Sequence, residues 1–574
     1  MKITIKGLGT VVKLDKSTFR GAGGEGEVHV TGNNRAYKIY HDPSKMIPLG
    51  KITELNALTA PYIFKPEHAL LNEKNVLVGY DMAALPSSEP LCKLFTKDFR
   101  NSNHITPEMI LGLVKKLHTG VKHCHNNNIL VVDLNEMNFL VDPKFQEVYF
   151  IDCDSYKTLS FPPTALMISV RDPLAFKESG GNAHYSATEM TDWYSYGIVT
   201  FQMMIGAHPF KGSNAKFDHI PKKDCQQMLA RMTANVSAMN LATKLPAVCQ
   251  PLSVIPQVYR EWFEAVFERG QRIAPPEDFT CVIVLTPRIT RLTGSQNYDI
   301  TEVYTLSGDI VYYSNGIAIT SNAVFNNGKK MINTTDSIVL GFTPKVNHPV
   351  VARVQGGLLR LFDLTANKEM NSTISAQEVM SYDGRIYVRN HSSVFEIEYT
   401  ELPTNILVTA KKVGEVLEQS TQFYQGVAIQ NLLGGYYAAL YPQSGKCYEI
   451  RMKEFDGYRI VDAKFKSGVM VLVGEKNGKY DKFICRFAPD YQSYDVRMAT
   501  DITTYDINFT VLESGVVLMM NENEELELFA NRKDSQGIKV VSDTAIDGDC
   551  KLFHAGAQAM FAKDDKLFKF NLRK

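Results

Sequence analysis

The hydrophobic pattern of the chain changes character near residue 285. Before that point, strand-like and helix-like stretches alternate. Between residues 107 and 124, apolar side chains recur at helical spacing: Met109, Ile110, Leu113, Val114, Leu117 and Val121. A mostly apolar run at residues 191–206, closed by Gly206, predicts a second, buried helix. After about residue 290 the helical period disappears, and short β-rich runs alternate with turns rich in Gly, Asn, Asp and Ser. The pattern therefore predicts a mixed α and β domain over residues 1–285 and an all-β domain over residues 286–574.

The second half repeats a weak unit, in which a hydrophilic turn precedes a short strand of alternating apolar residues. Six such strands are visible: Leu358–Phe362, Val394–Ile397, Cys447–Ile450, Phe483–Phe487, Leu526–Phe529 and Leu567–Phe570. They lie about 35 to 53 residues apart, and a period of about 40 residues is typical of four-stranded propeller blades. We predict a β-propeller of about six or seven blades, with a pair of β-sandwiches as the alternative. No WD or kelch signature is present, so the blade type stays open.

Composition narrows the class of protein further. The 574 residues are 44% apolar and 22% charged, which is ordinary for a soluble globular chain. The formal net charge is zero, so no overall attraction to nucleic acid or to an acidic membrane is expected. Nine cysteines without a C-x-x-C pair indicate neither a zinc site nor a disulfide framework, and favour a reducing, cytoplasmic setting. The first residues lack a signal-peptide core, and no apolar run is long enough to span a membrane.

A glycine-rich loop lies near the start of the chain. Residues 21–28 read G-A-G-G-E-G-E-V and fit G-x-G-x-x-G, a pattern that a Rossmann turn or a plain flexible loop also satisfies. Strand-like runs at residues 11–14 and 28–30 flank this loop, whereas a Rossmann turn leads into a helix. A β-hairpin fits better, because a glycine backbone can close over phosphate groups without obstruction by side chains. The predicted phosphate-binding residues are Gly21, Gly23, Gly24, Gly26 and Val28.

Lys38 lies in the next apolar strand, within A-Y-K-I-Y. Burial of an ammonium group is costly unless the group has a partner. Nucleotide phosphates and a glutamate on a neighbouring helix would supply partners, and Glu54 in the predicted helix 51–58 is the best candidate for that glutamate. The alternative is an edge-strand lysine that faces solvent; the glycine loop upstream favours the phosphate role.

The strongest candidate chemistry lies at residues 125–152. Asp133 and Asn138 are five residues apart, and Asp152 follows a second short apolar strand. Phosphoryl transfer needs such a set: a carboxylate to orient a hydroxyl, and oxygen ligands for Mg²⁺. Two β-turns that merely prefer Asp and Asn are the alternative, but turns do not explain the ordered set and its spacing.

Together these segments resemble the protein kinase superfamily over about residues 10–285. The matching elements, in chain order, are the glycine loop Gly21–Val28, the strand lysine Lys38, the catalytic loop Val131–Leu134 with Asn138, the metal motif Asp152–Asp154, the helix start Asp192–Gly197 and the closing element Arg272–Pro276. The resemblance implies a bilobal α+β fold, with an N-lobe at about residues 1–82 and a C-lobe at about 83–285. It also implies ATP and Mg²⁺ as cofactors. Lys38, held by Glu54, would contact the phosphates; Asn138 and Asp152 would bind Mg²⁺; Asp133 would orient a Ser or Thr hydroxyl.

Several positions depart from the kinase pattern. Val131 and Val132 replace the usual His-Arg pair, so we expect no activation by loop phosphorylation. Asn135 replaces a lysine that steadies the transferring phosphoryl group, and Asp154 replaces the glycine of D-F-G. No A-P-E element is visible between Asp154 and Asp192. These departures resemble atypical bacterial and phage kinase-like proteins, which implies the cytoplasm of a bacterial or phage-infected cell, or attachment to a virion.

Two classes of function follow. The first is an ATP-Mg-dependent Ser/Thr protein kinase, whose propeller recruits a protein substrate or partner. The second is a nucleotide-binding pseudokinase or a scaffold that uses both domains as interaction surfaces. An open pocket at Asp133, Asn138 and Asp152 would favour the enzyme, whereas Asp154 or Tyr156 filling that pocket would favour the scaffold. The sequence predicts no oligomeric state.

Overall fold

The computed structural model describes residues 1–23, 25–179, 182–277, 295–334, 337–402 and 405–573. Its first part is a seven-stranded antiparallel sheet in the order β2-β1-β6-β7-β5-β4-β3. The strands are β1 (Lys2–Ile5), β2 (Val11–Lys13), β3 (Phe19–Ala22), β4 (Gly26–Thr31), β5 (Arg35–Tyr40), β6 (His68–Asn72) and β7 (Leu77–Ala83). One short helix, α1 (Leu49–Leu55), follows β5. The glycine loop thus joins β3 to β4, while the strand at residues 11–13 lies at the other end of the sheet.

A mostly helical part follows, and it confirms both helices that the apolar pattern predicts. The helices are α2 (Lys97–Ser102), α3 (Pro107–Asn126), α4 (Glu189–Ile205), α5 (Gln226–Ala234) and α6 (Gln257–Phe263). Helix α3 begins where Thr106 accepts a hydrogen bond from the Met109 N–H and Pro107 opens the first turn. Helix α4 begins at a Thr188 capping box and ends at Gly206, whose φ of 90° suits glycine.

Short strands complete the helical part. β8 (Glu89–Pro90), β9 (Phe139–Val141) and β10 (Val148–Phe150) form one small sheet, and β11 (Phe176–Ser179) pairs with β12 (Asn182–Tyr185). The core of this part centres on α3 and α4, where an aromatic group of Trp193, Tyr196, Tyr259, Trp262 and Phe263 packs mainly edge to face.

Residues 298–572 form seven successive four-stranded antiparallel sheets, here called the seven-sheet domain. Six sheets each consist of four strands that are consecutive in sequence. The first three contain β14 (Ile310–Ser314), β15 (Ile317–Thr320), β16 (Ala323–Asn326) and β17 (Lys329–Asn333); then β18 (Val339–Phe342), β19 (Pro349–Gln355), β20 (Leu358–Asp363) and β21 (Lys368–Met370); and then β22 (Glu378–Tyr382), β23 (Arg385–Asn390), β24 (Ser393–Glu401) and β25 (Ile406–Glu415). The next three contain β26 (Thr421–Tyr424), β27 (Val427–Leu432), β28 (Gly435–Leu440) and β29 (Tyr448–Arg451); then β30 (Arg459–Lys466), β31 (Val469–Lys476), β32 (Lys479–Phe487) and β33 (Tyr494–Ala499); and then β34 (Phe509–Val511), β35 (Val516–Met520), β36 (Leu526–Ala530) and β37 (Lys539–Val541). The seventh sheet joins β13 (Tyr298–Thr305) to β38 (Lys551–Ala555), β39 (Gln558–Lys563) and β40 (Lys566–Leu572) in the order β13-β40-β39-β38.

The predicted all-β character of the second half is therefore confirmed, and each of the six predicted strands overlaps an observed one. The predicted boundary at residue 285 falls within residues 278–294, outside the described residues. Among the described residues, no helix has the length and apolar character needed to cross a bilayer.

The seven-sheet domain packs directly against the helical part. One continuous core contains residues from both, including Leu94 and Phe201 from the helical part and Val471 and Phe509 from the seven-sheet domain. Polar contacts reinforce this core. The buried Lys211 ammonium lies 2.6 Å from an Asp501 carboxylate oxygen and also donates to a backbone carbonyl. The catalytic loop predicted at residues 131–138 lies at this junction, so both domains contribute to its surroundings.

Candidate functional site

The backbone before Asp133 is held in an unusual conformation. Val132 has φ of 61°, a region that β-branched residues rarely occupy and that costs about 1–3 kcal/mol. Asp192, at the start of α4 and fully buried, accepts hydrogen bonds from the Val131 N–H at 2.8 Å and the Val132 N–H at 2.9 Å. The His125 ring lies 2.9 Å from the same carboxylate. Asp192 therefore fixes the strained turn that presents Asp133.

Asp133 and Asn138 are in contact, as the spacing predicted. The Asn138 amide group donates to the Asp133 backbone carbonyl at 2.9 Å and to its carboxylate at 3.1 Å. The other Asp133 carboxylate oxygen accepts a hydrogen bond from the Met167 N–H at 2.6 Å. Asn135 accepts from the Met137 N–H and so caps the short 3-10 helix Glu136–Asn138, which means that its side chain serves the loop itself.

The antiparallel pair of β9 and β10 brings Asp152 to the same end as Asn138. Phe139 pairs with Phe150, and the Ile151 N–H donates to the Asn138 carbonyl at 3.0 Å. Asp152 follows directly, in the left-handed region with φ of 61°, and its side chain is about a third exposed. Carboxylate and amide oxygens are the ligands that Mg²⁺ prefers, so the donor set of Asp152 and Asn138 fits that ion.

Lys38 lies in β5 with its ammonium group surrounded by carboxylates. Its Nζ is 2.7 Å from Asp154, 3.2 Å from Asp152 and 3.2 Å from Glu25. The Tyr40 hydroxyl donates to the same Asp154 oxygen at 2.6 Å. Burial would lower the pKa of Lys38, but its neighbours, among them Asp154 and Asp152, outweigh burial and raise the pKa well above its ordinary value. Lys38 is therefore a permanent cation at this site.

The two aspartates around Lys38 differ in pKa. Burial and the neighbouring Asp154 raise the pKa of Asp152 to about 6, against the influence of Lys38. Burial would also raise the pKa of Asp154, but Lys38 and the hydrogen bonds from Lys38 and Tyr40 lower it to about 2. Asp154 is consequently the fixed counter-charge of Lys38, and Asp152 is the carboxylate that a cation can engage.

The predicted pairing of Lys38 with Glu54 is wrong in this structure. Helix α1 buries Lys51, Ile52 and Leu55, which turns Glu54 away from β5. The Glu54 carboxylate instead accepts a hydrogen bond from the Ser160 N–H at 3.1 Å. Lys51 occupies the inner face of α1, where it donates to a backbone carbonyl and where burial lowers its pKa to about 8. Because α1 places a lysine inside, the counter-charge of Lys38 comes from Asp154.

The glycine loop is a β-hairpin, and its glycines differ in what surrounds them. A Cβ atom added to Gly21 or Gly23 would meet nothing within 4 Å, whereas one added to Gly26 would lie 2.3 Å from a carbonyl of β5. Gly26 therefore serves packing of the sheet, and Gly21 and Gly23 leave open space for a ligand. Val28 pairs with Lys38 across β4 and β5. Gly24 lies outside the described residues.

Three contributing residues escaped the sequence analysis. Glu25 at the hairpin tip reaches Lys38, and Tyr40 supports Asp154. Asp172 forms a two-point ion pair with Arg272, at 2.6 Å for both contacts, and so anchors the segment 153–187 near its middle. The dipeptide Asp172-Pro173, some 20 residues before Asp192, was the available signal for this anchor. Tyr156, which the sequence analysis considered as a side chain that could fill the pocket, lies buried in the core.

Part of the chain is similar to known protein kinases. Residues 44–253, less than half of the chain, match the family model of the protein kinase domain. A probable serine/threonine-protein kinase of Dictyostelium discoideum is 26% identical over 172 residues, which are 30% of this chain and 12% of that protein. Rhodopsin kinase of Danio rerio is 27% identical over 134 residues, 22% of each chain. The alpha subunit of the inhibitor of nuclear factor kappa-B kinase of Gallus gallus is 24% identical over 216 residues, 36% of this chain and 28% of that one.

The chain thus contains a protein kinase domain with weak similarity to serine/threonine kinases. It spans less than a third of the length of each of these relatives.

Proposed function

We propose that this protein transfers the γ-phosphoryl group of ATP-Mg²⁺ to Ser or Thr hydroxyls. One observation carries the proposal: Asp133 and Asn138 are hydrogen-bonded to each other, and the β9–β10 hairpin brings Asp152 beside them. Positioning and charge stabilisation supply most of the acceleration in phosphoryl transfer, and these residues provide both. The match to the protein kinase domain supports the same conclusion.

Each residue then has a definite task. Lys38 binds nucleotide phosphate. To do so, its ammonium group must give up its contact with at least one of the three carboxylates, and Glu25, at the exposed tip of the hairpin, is the one most easily displaced. Asp152 and Asn138 hold Mg²⁺, which when bound neutralises charge on the phosphates. Asp133 orients the acceptor hydroxyl and accepts its proton. The open space at Gly21 and Gly23 admits the phosphates.

A second candidate function is nucleotide binding without catalysis, or a scaffold role. Two observations favour it. Lys38 is already saturated by three carboxylates, and the Asp133 carboxylate is already bonded by the Met167 N–H and by Asn138. In this hypothesis both key side chains serve the fold rather than a reaction.

We further propose that the seven-sheet domain is a seven-bladed β-propeller that recruits a protein substrate or partner. Seven consecutive four-stranded sheets support this arrangement. So does the pairing of the first strand, β13, with the last strand, β40, which is how a closed ring of blades joins its ends. The cytoplasm is the proposed compartment, because the eight cysteines that the structure describes are all free.

Transfer of labelled γ-phosphate from ATP-Mg²⁺ to the protein and to a host lysate tests the function. We expect transfer by the wild-type protein and none by an Asp152→Asn variant. An ATP-induced rise in melting temperature without transfer would establish the non-catalytic alternative. Neither transfer nor a thermal shift would exclude nucleotide binding altogether.

A further inference from the structure

A cavity of about 570 Å³ opens in front of Asp133, and two domains wall it. The kinase domain contributes residues 165–168 and Asp224, and the seven-sheet domain contributes Arg459 at the start of β30 and the turn between β31 and β32. A volume of this size suits a small ligand or a few residues of an extended peptide rather than a folded surface. We call it the acceptor cavity, because Asp133 is the proposed base for the acceptor hydroxyl.

The wall from the seven-sheet domain is attached to the catalytic loop itself. The Tyr480 hydroxyl donates to the buried Glu136 carboxylate at 2.6 Å, and the Arg459 guanidinium lies 3.5 Å from the Met137 carbonyl. On the opposite side, a Cβ at Gly478 would lie 2.8 Å from the Met167 side chain, so backbone and side chain touch there. Contacts between the two domains therefore shape the cavity.

The charges that face the cavity are unequal. Lys479 is neutralised by Asp224 at 3.0 Å. Glu475 is buried, its carboxylate accepts from the Gly478 N–H, and burial raises its pKa. Arg459, in contrast, is exposed and forms no ion pair within 4 Å among the residues that the structure describes, although its charge opposes the rise in the pKa of the nearby Glu475.

A second cation has the same character. Lys476 lies over the Tyr458 ring at 5.0 Å and donates to the Asp456 backbone carbonyl at 3.4 Å, contacts that leave its charge uncompensated. Besides the proposed base Asp133, three cationic side chains (Arg459, Lys476 and Lys479) and two acidic ones (Asp224 and Glu475) line the cavity, so the remaining charge of the wall is positive by one. An anionic group on the acceptor would be attracted to this wall, and a cationic one repelled.

Building on the proposed function, we propose that the acceptor cavity binds a Ser- or Thr-containing peptide segment with acidic flanking residues, whose carboxylates are bound by Arg459 and Lys476. The seven-sheet domain then determines substrate specificity directly, through side chains that reach the catalytic loop. In the transfer step, the acceptor oxygen forms a bond to the γ-phosphorus as the bond to the β-phosphate bridging oxygen breaks. The hydroxyl proton passes to Asp133, and ADP leaves with the electron pair.

The test uses the full-length protein and two sets of serine peptides, one with Asp and Glu around the serine and one with Lys and Arg. We expect the wild type to phosphorylate the acidic set with a lower KM, and to bind a fluorescent acidic peptide more tightly than a basic one. Arg459→Glu should shift the acidic-to-basic preference by about tenfold toward basic peptides, the effect of one partly desolvated charge pair. Lys539→Glu, the same charge change on an exposed lysine of the outer strand β37, is the matched control and should change neither preference.

The outcomes are separable. Loss of transfer to both peptide sets by Arg459→Glu, in equal proportion, would place the arginine on the phosphoryl group or the fold and overturn the proposal. A wild-type preference for basic peptides would overturn it as well. Selective binding of acidic peptides without any phosphate transfer would support the acceptor cavity and refute the proposed kinase activity.

Discussion

The buried carboxylate of Asp192 offers the sharpest test of how the fold positions Asp133. Asp192→Asn keeps the size and shape of the side chain but leaves only one oxygen to accept hydrogen bonds. The wild-type carboxylate accepts from two backbone N–H groups, at 2.8 and 2.9 Å, and it is fully buried. In the variant, the NH₂ group of the amide takes the place of one carboxylate oxygen and cannot accept a hydrogen bond from the backbone N–H that it faces. At least one of the two hydrogen bonds from the backbone is therefore lost.

The magnitude follows from these contacts. A hydrogen bond to a charged group contributes about 1.5–3 kcal/mol, and an unsatisfied buried donor costs about 1–3 kcal/mol more. Val132 can then relax from its strained φ of 61°, and this relaxation recovers part of the strain energy of about 1–3 kcal/mol. We expect a net loss of about 2 kcal/mol in the free energy of unfolding. Because Asp133 is the next residue, the transfer rate should fall by about 100-fold, the cost of a displacement of about 1 Å at a reacting group.

Intrinsic fluorescence can measure the stability term in the helical part alone. The chain has two tryptophans, and Trp193 and Trp262 both lie there, so urea unfolding followed by tryptophan emission reports on the kinase domain. Ser195→Ala is the matched control on α4: its hydroxyl donates to a backbone carbonyl outside the loop at 2.8 Å, so we expect about 1 kcal/mol of destabilisation and normal transfer. An Asp192→Asn protein that retains both wild-type stability and wild-type transfer would refute the argument.

Three further perturbations test separate parts of the structure. Gly26→Ala should destabilise the sheet, because the new Cβ would lie 2.3 Å from a carbonyl of β5, whereas Gly21→Ala should leave the melting temperature unchanged and weaken ATP binding; equal melting temperatures for the two variants would contradict this distinction. Lys211→Met leaves the buried Asp501 carboxylate unpaired and should cost about 3–5 kcal/mol in urea unfolding, with most of it recovered by adding Asp501→Asn; no recovery in the double variant would show that the pair itself is not responsible. Burial and Asp98 raise the pKa of Asp506 to about 7, above its ordinary 3.8, so the folded protein holds a proton there and the free energy of unfolding should fall as pH rises from about 4 to 7. Asp506→Asn should reduce this dependence of the unfolding free energy on pH. An identical pH dependence in the variant and the wild type would show that Asp506 is not the group responsible.

The hydrophobic pattern predicted the all-β character of the second half, but it marked only six of the seven sheets. Five of the six predicted strands are third strands of their sheets, whereas Cys447–Ile450 overlaps β29, a fourth strand. That mismatch produced the longest interval, because the third strand of the same sheet, β28, begins earlier at Gly435. The first sheet went unmarked because its third strand, β16, has only four residues and its alternation is too short to stand out.

The sequence predicted which side chains meet where their spacing along the chain fixes the geometry, but not where the rotation of a helix decides which side chain faces inward. Asp133 and Asn138 are joined through one short 3-10 turn, so a five-residue separation is enough to bring them together. Glu54 lies on a seven-residue helix, where a shift of one or two positions decides which side chain faces inward, and α1 turns Lys51 inward instead. The sequence analysis treated Asp154 as a departure from glycine and as a side chain that could fill the pocket, and the structure makes it the partner of Lys38.

The loss of the His-Arg pair has a structural counterpart in the segment 153–187. Val131 and Val132 are fully buried apolar side chains, so the loop carries no cation there that could bind a phosphorylated residue. Direct contacts hold the segment instead: the Met167 N–H donates to Asp133, and Arg272 forms an ion pair with Asp172 near the middle of the segment. We therefore expect the placement of Asp133 to depend on these contacts, and on the hydrogen bond from Tyr480 of the seven-sheet domain to Glu136, rather than on phosphorylation. Removal of the seven-sheet contacts should accordingly disturb the catalytic loop more than any change among the exposed residues of the segment.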